Sequence, residues 1–553
     1  MSFIVGDTED DAKELQESGQ SGFKKKVTQC AAITRKGTKF HNRGDIQAFK
    51  KWLVERPEQY IYFHNLQYDL GNLFGKELDA LDCTLVGGRI IRAIWGSKIF
   101  LDSFNIWPMK AATIGGRFGL KKLEMDVYSK EYVFRDCEII RRAMEFAWSF
   151  AESMELDHLP PTLGGFCVKV WKNWGGINCH DSNDICREAY YGGRVEIFKT
   201  RNESKHVCWT DINSLYPSVM TLEYPEQLTN YGTELPPHGV ATITIKIPKA
   251  DLVILPFRNS EGRIIFPYGT ITGTWTMLEI RAAVERGATI QSVKAAYGSA
   301  EVMRPYYEFV QRLYEARLQS KSAAEKQFFK LLMNNLYGRL GTTGVIGRTV
   351  NQTEKNRSDG VPYGEKVLVE YNMPLSEETN WCHAAYVTAY GRLELFKYME
   401  KVGANLIYCD TDSVIFDGKP DEIPFPIGKG LGQMKIIQRC SICNNVFPHS
   451  PACPNSIGFD FWEECEVYLP KLYRTGNTYK AKGVPQALAK KFFETGRAEF
   501  NLPYKIREAI RFYDRKNSRR LSVWHEVEKQ RRQTYDRKNL LGNRYFPCKV
   551  NAV

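Results

Sequence analysis

Nowhere does this sequence of 553 residues hold an apolar run long enough to cross a bilayer, so it reads as a soluble chain with no membrane partner. Its first residues, MSFIVGDTEDDAKEL, lack both a basic segment and a long apolar one, and do not read as a signal peptide. Internal repeats and low-complexity tracts are missing too, which sets aside repeat arrays. Nor is there a dense cysteine framework. The 14 cysteines are scattered, which points to reduced thiols and a cytoplasmic setting.

What is present is ordinary for a globular chain of several domains, with 43% hydrophobic and 25% charged residues. The net charge of +12 is unevenly placed: residues 486–553 carry 17 Lys and Arg against 7 Asp and Glu. Runs such as Arg515-Lys516-Asn517-Ser518-Arg519-Arg520 and Lys529-Gln530-Arg531-Arg532 are interleaved with Tyr513, Trp524 and Tyr535. Such a segment suits either a solvated face or a phosphate-contacting module, and charge alone does not choose.

Short apolar runs at residues 2–6, 60–64, 90–95 and 99–102 predict strands, and residues 131–148 predict a helix, together an α/β sheet domain. Pro160-Pro161, Gly164-Gly165 and Gly175-Gly176 predict a connecting region over 155–190. Further strands are expected at 207–210, 240–247 and 406–409, and helical spacing dominates 303–340. The polar, turn-rich stretch 341–365 reads as a loop or a small insertion.

Three segments carry chemistry. In the first, Cys208-Trp209-Thr210-Asp211-Ile212-Asn213-Ser214-Leu215-Tyr216-Pro217, an apolar strand delivers Asp211 to its end, a good place for a metal ligand, although Asp at a turn is commonly a structural cap. In the second, two apolar runs flank Asp410-Thr411-Asp412 and predict a buried hairpin with both carboxylates at its tip. Close, buried carboxylates repel unless a cation neutralises them. In the third, residues 325–338, Lys326, Lys330, Asn334 and Tyr337 are spaced 4, 4 and 3 and share one helical face, leaving Phe328, Phe329, Leu332 and Leu336 to anchor the helix. Ammonium groups, an amide and a ring on one face suit a triphosphate and a stacked base.

Together these segments resemble the family B DNA polymerases, and in the same order. Asp211-x-x-Ser214-Leu215-Tyr216-Pro217 is similar to motif A, Lys330-x-x-x-Asn334-x-x-Tyr337-Gly338 to motif B, and Tyr408-x-Asp410-Thr411-Asp412-Ser413 to motif C. The resemblance implies DNA-templated DNA synthesis by a two-metal mechanism with Mg²⁺ or Mn²⁺. Asp211 and Asp412 would bind the metals, with Asp410 in support. Lys330, with Lys326 on the same face, would meet the triphosphate. Tyr216 would lie under the sugar, and Asn334 and Tyr337 would border the nascent base pair. The chain reads Asn334-Asn335 where the family usually has Asn-Ser.

Three shorter elements resemble the protein-primed branch found in phages and linear plasmids. They are Tyr190-x-Gly192-Gly193, Thr388-Ala389-Tyr390-Gly391-Arg392 and Lys471-Leu472-Tyr473. The resemblance implies that Tyr190, Gly192, Gly193, Thr388, Arg392, Lys471 and Tyr473 contact DNA. It also implies a monomer in the cytoplasm, the host's for a viral gene, whose partners are template and primer DNA, dNTPs and a terminal protein. A DNA-primed replicase, or a catalytically silent nucleic-acid-binding relative, is the alternative.

A second acidic set stands at the N-terminus. Asp7 and Glu9 are i and i+2 on a strand and face one side. His64-Asn65-Leu66-Gln67-Tyr68-Asp69 ends another strand, and Tyr132 and Asp136 share a helix face at i, i+4. The set resembles the DEDD 3′→5′ exonucleases. That implies two metals on Asp7, Glu9, Asp69 and Asp136, a water oriented by Tyr132, and a single strand held by Asn65, Tyr68 and Ser103. Phe104 stands where the family has Leu, and Asp10 where it often has Thr.

Cys440, Cys443, His449 and Cys453 offer three thiolates and an imidazole, the ligand types of a closed tetrahedral zinc site. Cysteine is equally common as a small buried residue. The fold class the resemblance implies is α/β and α+β multidomain. A ribonuclease H-like exonuclease domain (1–165) and a connecting region (166–206) precede palm (207–300, with a first insertion), fingers (301–340), a second insertion (341–375), palm (376–485) and thumb (486–553).

Overall fold

The computed structural model describes residues 2–11, 26–86, 89–177, 180–203, 206–342, 345–351, 361–363, 366–372, 375–418, 422–437, 464–475, 478–503, 524–530 and 538–552. The Cys440, Cys443, His449 and Cys453 set and the basic run 515–520 lie outside the described residues, as do Arg531 and Arg532.

The expected N-terminal strands form as Phe3–Asp10, Tyr60–Phe63, Arg89–Trp95 and Lys98–Asp102. Phe3–Asp10 pairs parallel with Tyr60–Phe63 and antiparallel with Val27–Thr34, so the acidic strand is interior to a mixed sheet. Phe3, Ile4 and Val5 are buried on both faces, as an interior strand requires. Helix Lys130–Ser153 covers one face. Ser129 caps it by accepting from the Tyr132 N–H, and its apolar stripe carries Trp148 onto Phe3 with ring centroids 6.0 Å apart.

In the stretch 341–365, expected as a loop or a small insertion, the described residues are mostly strand. Strands Val345–Asn351, Val361–Tyr363 and Lys366–Asn372 cover its described part and run past it. Val345–Asn351 pairs antiparallel with Asp82–Val86, so the N-terminal sheet continues into this segment and reaches ten strands. The β-branched residues of VIGRTVN and KVLVEYN outweigh the neighbouring turn residues. Thr349 fastens the join by accepting from the Cys83 N–H at 2.8 Å.

The connecting region also proves more ordered than its prolines and glycines predict. Thr162, directly after Pro160-Pro161, caps helix Leu163–Asn173, which buries Phe166, Cys167, Val170 and Trp171. Cys167 donates to the Leu332 carbonyl at 3.2 Å, tying this helix to Ala323–Leu340. The helical stretch 303–340 divides into Tyr307–Gln319 and Ala323–Leu340. Ser322 caps the second helix at the Glu325 N–H, and the Glu325 carboxylate returns to the Lys321 N–H at 2.9 Å. Phe328 anchors it among Trp107, Phe146, Phe150 and Phe166, with centroids 5.1–6.1 Å away.

A second sheet runs in the order Met434–Ile436, Val207–Ile212, Ser413–Asp417, Leu406–Asp410, Val195–Ile197, antiparallel throughout. Helix Trp381–Val402 packs on it. Between the motif A and motif B segments, Thr229–Gly232, Thr289–Ser299, His238–Ile247 and Gly269–Thr276 form a four-stranded sheet in that order. The end of the chain returns to the middle of the protein: the Tyr545 N–H donates to Phe198 at 2.8 Å and the Ala552 N–H to Thr270 at 2.9 Å. Among the described residues no helix is long and apolar enough to cross a membrane.

Candidate active sites

Asp7, Glu9 and Asp136 present oxygens that all lie within 4.8 Å of one another, at a cavity of about 620 Å³. Burial, then Glu9, Asp69 and Asp136, hold the Asp7 carboxyl well above the usual carboxylate range. Burial and then Asp136 push Glu9 up to about 7. Asp7 Oδ2 and Asp136 Oδ1 are buried without a hydrogen-bond partner among the described residues. Hard oxygen donors, mutually repelling and partly unsatisfied, fit a divalent cation. Asp69 is buried beside them, but its Oδ1 already accepts from the Thr8 N–H at 3.0 Å and the Thr8 hydroxyl at 2.7 Å.

Lys122 was not singled out by the sequence, yet its ammonium donates to Asp136 and lies 5.0 Å over the Tyr132 ring. It sits between helices Ala111–Arg117 and Lys130–Ser153, where no periodicity marks it. Tyr132 is buried and bonded to Lys122. Asn65, in the left-handed region at φ 75°, donates its N–H to Asp102 at 2.9 Å and lines the cavity with Tyr68, Phe104, Arg89 and Lys110. Ser103, expected to hold the single strand, turns inward. It is buried, and its hydroxyl donates to the Phe63 carbonyl at 3.0 Å because the turn after Asp102 points it inward.

In the second sheet, Asp211 lies directly opposite Ser413, and the Ile212 N–H donates to the Asp412 carbonyl at 2.7 Å, so the motif A and motif C carboxylates meet across adjacent strands. Burial and then Asp211 push Asp412 up to about 6. Each outer carboxylate carries a lysine. Lys435 pairs with Asp211 at 2.6 Å and Lys471 with Asp410 at 3.3 Å. Asp410 also accepts from the Tyr408 hydroxyl at 3.2 Å, which suits a supporting position. The acidic pair fits a cation for the same reason as the N-terminal cluster: like charges half-removed from water need one.

Beside the pair opens a cavity of about 380 Å³ lined by Lys326, Lys330, Arg117, Arg317 and Lys429. Desolvation, then Lys435 and Arg317, hold the Lys330 ammonium below the ordinary lysine range. Tyr216 and Tyr337 pack with ring centroids 4.5 Å apart and planes tilted by 48°. Asn334 turns back on its own helix, donating to the Lys330 carbonyl at 2.7 Å. Of the five non-glycine residues with positive φ among those described, Asn65, Ser214, Thr411 and Lys471 belong to these two sites, where such backbone strain commonly collects.

The Tyr190-x-Gly192-Gly193 loop crosses this centre. A Cβ on Gly193 would stand 2.8 Å from Thr411 and 2.9 Å from the Tyr216 hydroxyl, which only glycine avoids. Two other motif elements turn inward. Thr388 and Arg392 are buried: Arg392 pairs with Glu279 at 2.8 Å and donates to the Tyr191 and Gly192 carbonyls, both at 2.7 Å. Its role is to bolt the glycine loop to helix Trp381–Val402. Tyr473 is likewise buried, packed between Tyr408 and Trp209, while Lys471 reaches the site. Arg392→Met should therefore destabilise the fold by about 3–5 kcal/mol in denaturant unfolding, because Glu279, 0% exposed, is left without its cation. A loss below about 1 kcal/mol would mean that water reaches the pair.

Residues 122–360 match the family described as DNA polymerase type B, organellar and viral. A probable DNA polymerase of Ascobolus immersus is 30% identical over 286 residues, 47% of this chain and 23% of that protein. The chain thus spans about a quarter of the length of the fungal relatives it matches. The DNA-directed DNA polymerase of enterobacteria phage PRD1 is 23% identical over 67% of this chain and 69% of its own. In fold, Phi29 DNA polymerase superposes with a TM-score of 0.70 at 15% identity, covering 96% of this chain and all of that one. Over residues 122–360 the chain is thus similar to the organellar and viral type B DNA polymerases, and its multidomain α/β and α+β fold is similar to that of Phi29 DNA polymerase.

Proposed function

We propose that the chain copies DNA at the Asp211–Asp412 centre and trims 3′ ends at the Asp7–Glu9–Asp136 centre, in a viral or plasmid replication system started from a terminal protein. The observation that carries this reading is the meeting of Asp211 and Asp412 on neighbouring strands beside a cavity lined by cations. Divalent cations, Mg²⁺ or Mn²⁺, would supply activation of the attacking oxygen and charge neutralisation of the leaving group at both centres. Asp211 and Asp412 would hold them in the first, Asp7, Glu9 and Asp136 in the second.

The protein's own groups do the rest. Lys326 and Lys330 bind the phosphates from one helix face, and the Tyr216–Tyr337 pair forms the floor on which sugar and base settle. At the second centre Lys122 offsets the burial that raises Asp136 and, through Tyr132, fixes the side from which water approaches. Asn65, Tyr68 and Phe104 line the path of a single strand. The Phi29 enzyme has been solved with primer-template DNA and incoming nucleotides, which supports the same partners here. The sheet built from Thr229–Gly232 to Thr289–Ser299 is the proposed dock for the priming protein, and strands Val345–Asn351 to Lys366–Asn372 the proposed second insertion.

Primer extension on a recessed template with Mg²⁺, with and without dNTPs, tests both activities in one tube. Lengthening with dNTPs and shortening without them are the expected results. A primer unchanged in both lanes overturns the reading. Labelled dAMP appearing covalently on a candidate terminal protein tests the priming step separately.

A further inference from the structure

Arg117 ends a short helix, Ala111–Arg117, of the N-terminal domain, which the reading above assigns to excision. Its side chain nevertheless lines the cavity beside Asp211, together with Arg317, Lys326, Lys330 and Lys429. No Asp or Glu lines that cavity, so five positive groups face one another without a carboxylate among them. Arg117 Nε is buried and has no hydrogen-bond partner among the described residues. A buried guanidinium nitrogen left unbonded costs free energy, and cations crowded around one space repel. Both costs are relieved by a polyanion. Asn213 and Ser214, immediately after Asp211, line the same cavity, so an anion seated there abuts the acidic pair.

We infer that Arg117 binds the phosphates of the incoming nucleotide, so that the excision domain completes the substrate site of the synthetic one. This rests on the assignment of the cavity to the triphosphate. The guanidinium fork suits phosphate oxygens better than a lysine would. Packing of helix Ala323–Leu340 against the N-terminal domain, through Phe328 on Trp107, fixes Arg117 relative to Lys326 and Lys330.

Steady-state extension by Arg117→Ala and Arg117→Lys tests the inference, alongside Lys330→Ala. For Arg117→Ala the KM for dNTP should rise about ten- to a hundredfold, the range for losing hydrogen bonds to a charged group, with kcat little changed. The pyrophosphate concentration needed for the reverse reaction should rise in parallel, and Arg117→Lys should recover part of both. Single-strand excision, measured on the same preparations, reports that the N-terminal domain is folded. If Lys330→Ala raises the dNTP KM and Arg117→Ala does not, the role of Arg117 is refuted and the cavity assignment stands. If neither variant moves it, the cavity is not the nucleotide site and both fall.

Discussion

Asp412→Asn is expected to lower primer extension by about 10³-fold or more, the several kcal/mol a metal-held transition state supplies, while excision is unchanged. Asp412 shares its centre with Asp211 on the adjacent strand, whereas the excision carboxylates lie in the separate N-terminal sheet. The substitution preserves shape, so the loss is one of charge. It should not be a loss of fold. Asp412 titrates at about 6, above the ordinary 3.8, because burial and Asp211 disfavour its anion. A carboxyl raised in the folded state stabilises the protein below its unfolded pKa, and that contribution is lost as pH rises through the folded one. At pH 8 in a chelator, Asp412→Asn should therefore be more stable than the parent by about 2 kcal/mol, after discounting for partial exposure. At pH 3 the two should be equal. Extension retained at a tenth of the parent rate would remove Asp412 from the centre.

Much of this centre was legible in the sequence because its parts are local. A strand end, a hairpin tip and a helix face each announce themselves through period 2 or 3.6, and Asp211, Asp412, Lys330 and Tyr337 needed only the fold to bring them together. What stayed hidden acts at long range. Lys122, Lys435 and Arg117 are single basic residues without periodic neighbours, and each acquires meaning only from a carboxylate or a cavity supplied by a distant segment. Arg392 shows the opposite case. The motif around it was recognisable, but its direction depends on Glu279, 113 residues away on a helix with no visible signal. Strands Val345–Asn351 and Lys366–Asn372 were obscured because turn residues beside them dominate the composition, while the pairing partner, Asp82–Val86, lies far back in the chain.

Asp7→Asn should reduce excision by about 10³-fold for the same metal-holding reason, but its effect on stability carries more information. Without metal, Asp7, Glu9 and Asp136 hold three acidic groups within 4.8 Å, with Lys122 as counter-charge on Asp136. Asp7 is raised by burial and by its neighbours, and Glu9 titrates at about 7 against 4.5 when unfolded. Between those values the folded protein binds more protons than the unfolded chain, so in a chelator stability must fall as pH rises from about 4.5 through 7. The Glu9 shift alone corresponds to roughly 3 kcal/mol at 1.36 kcal/mol per unit. Divalent cations should reverse this decline, by more at pH 8 than at pH 5, because protons compete with them for the same oxygens. Asp7→Asn relieves the repulsion without supplying a ligand. It should flatten the pH dependence in the chelator and abolish most of the stabilisation by Mn²⁺. Thermal unfolding of parent and variant at pH 5 and pH 8, each with EDTA and with Mn²⁺, separates these contributions. A parent that melts at the same temperature in all four conditions has no strained acidic cluster, and the excision site would then have to be sought elsewhere.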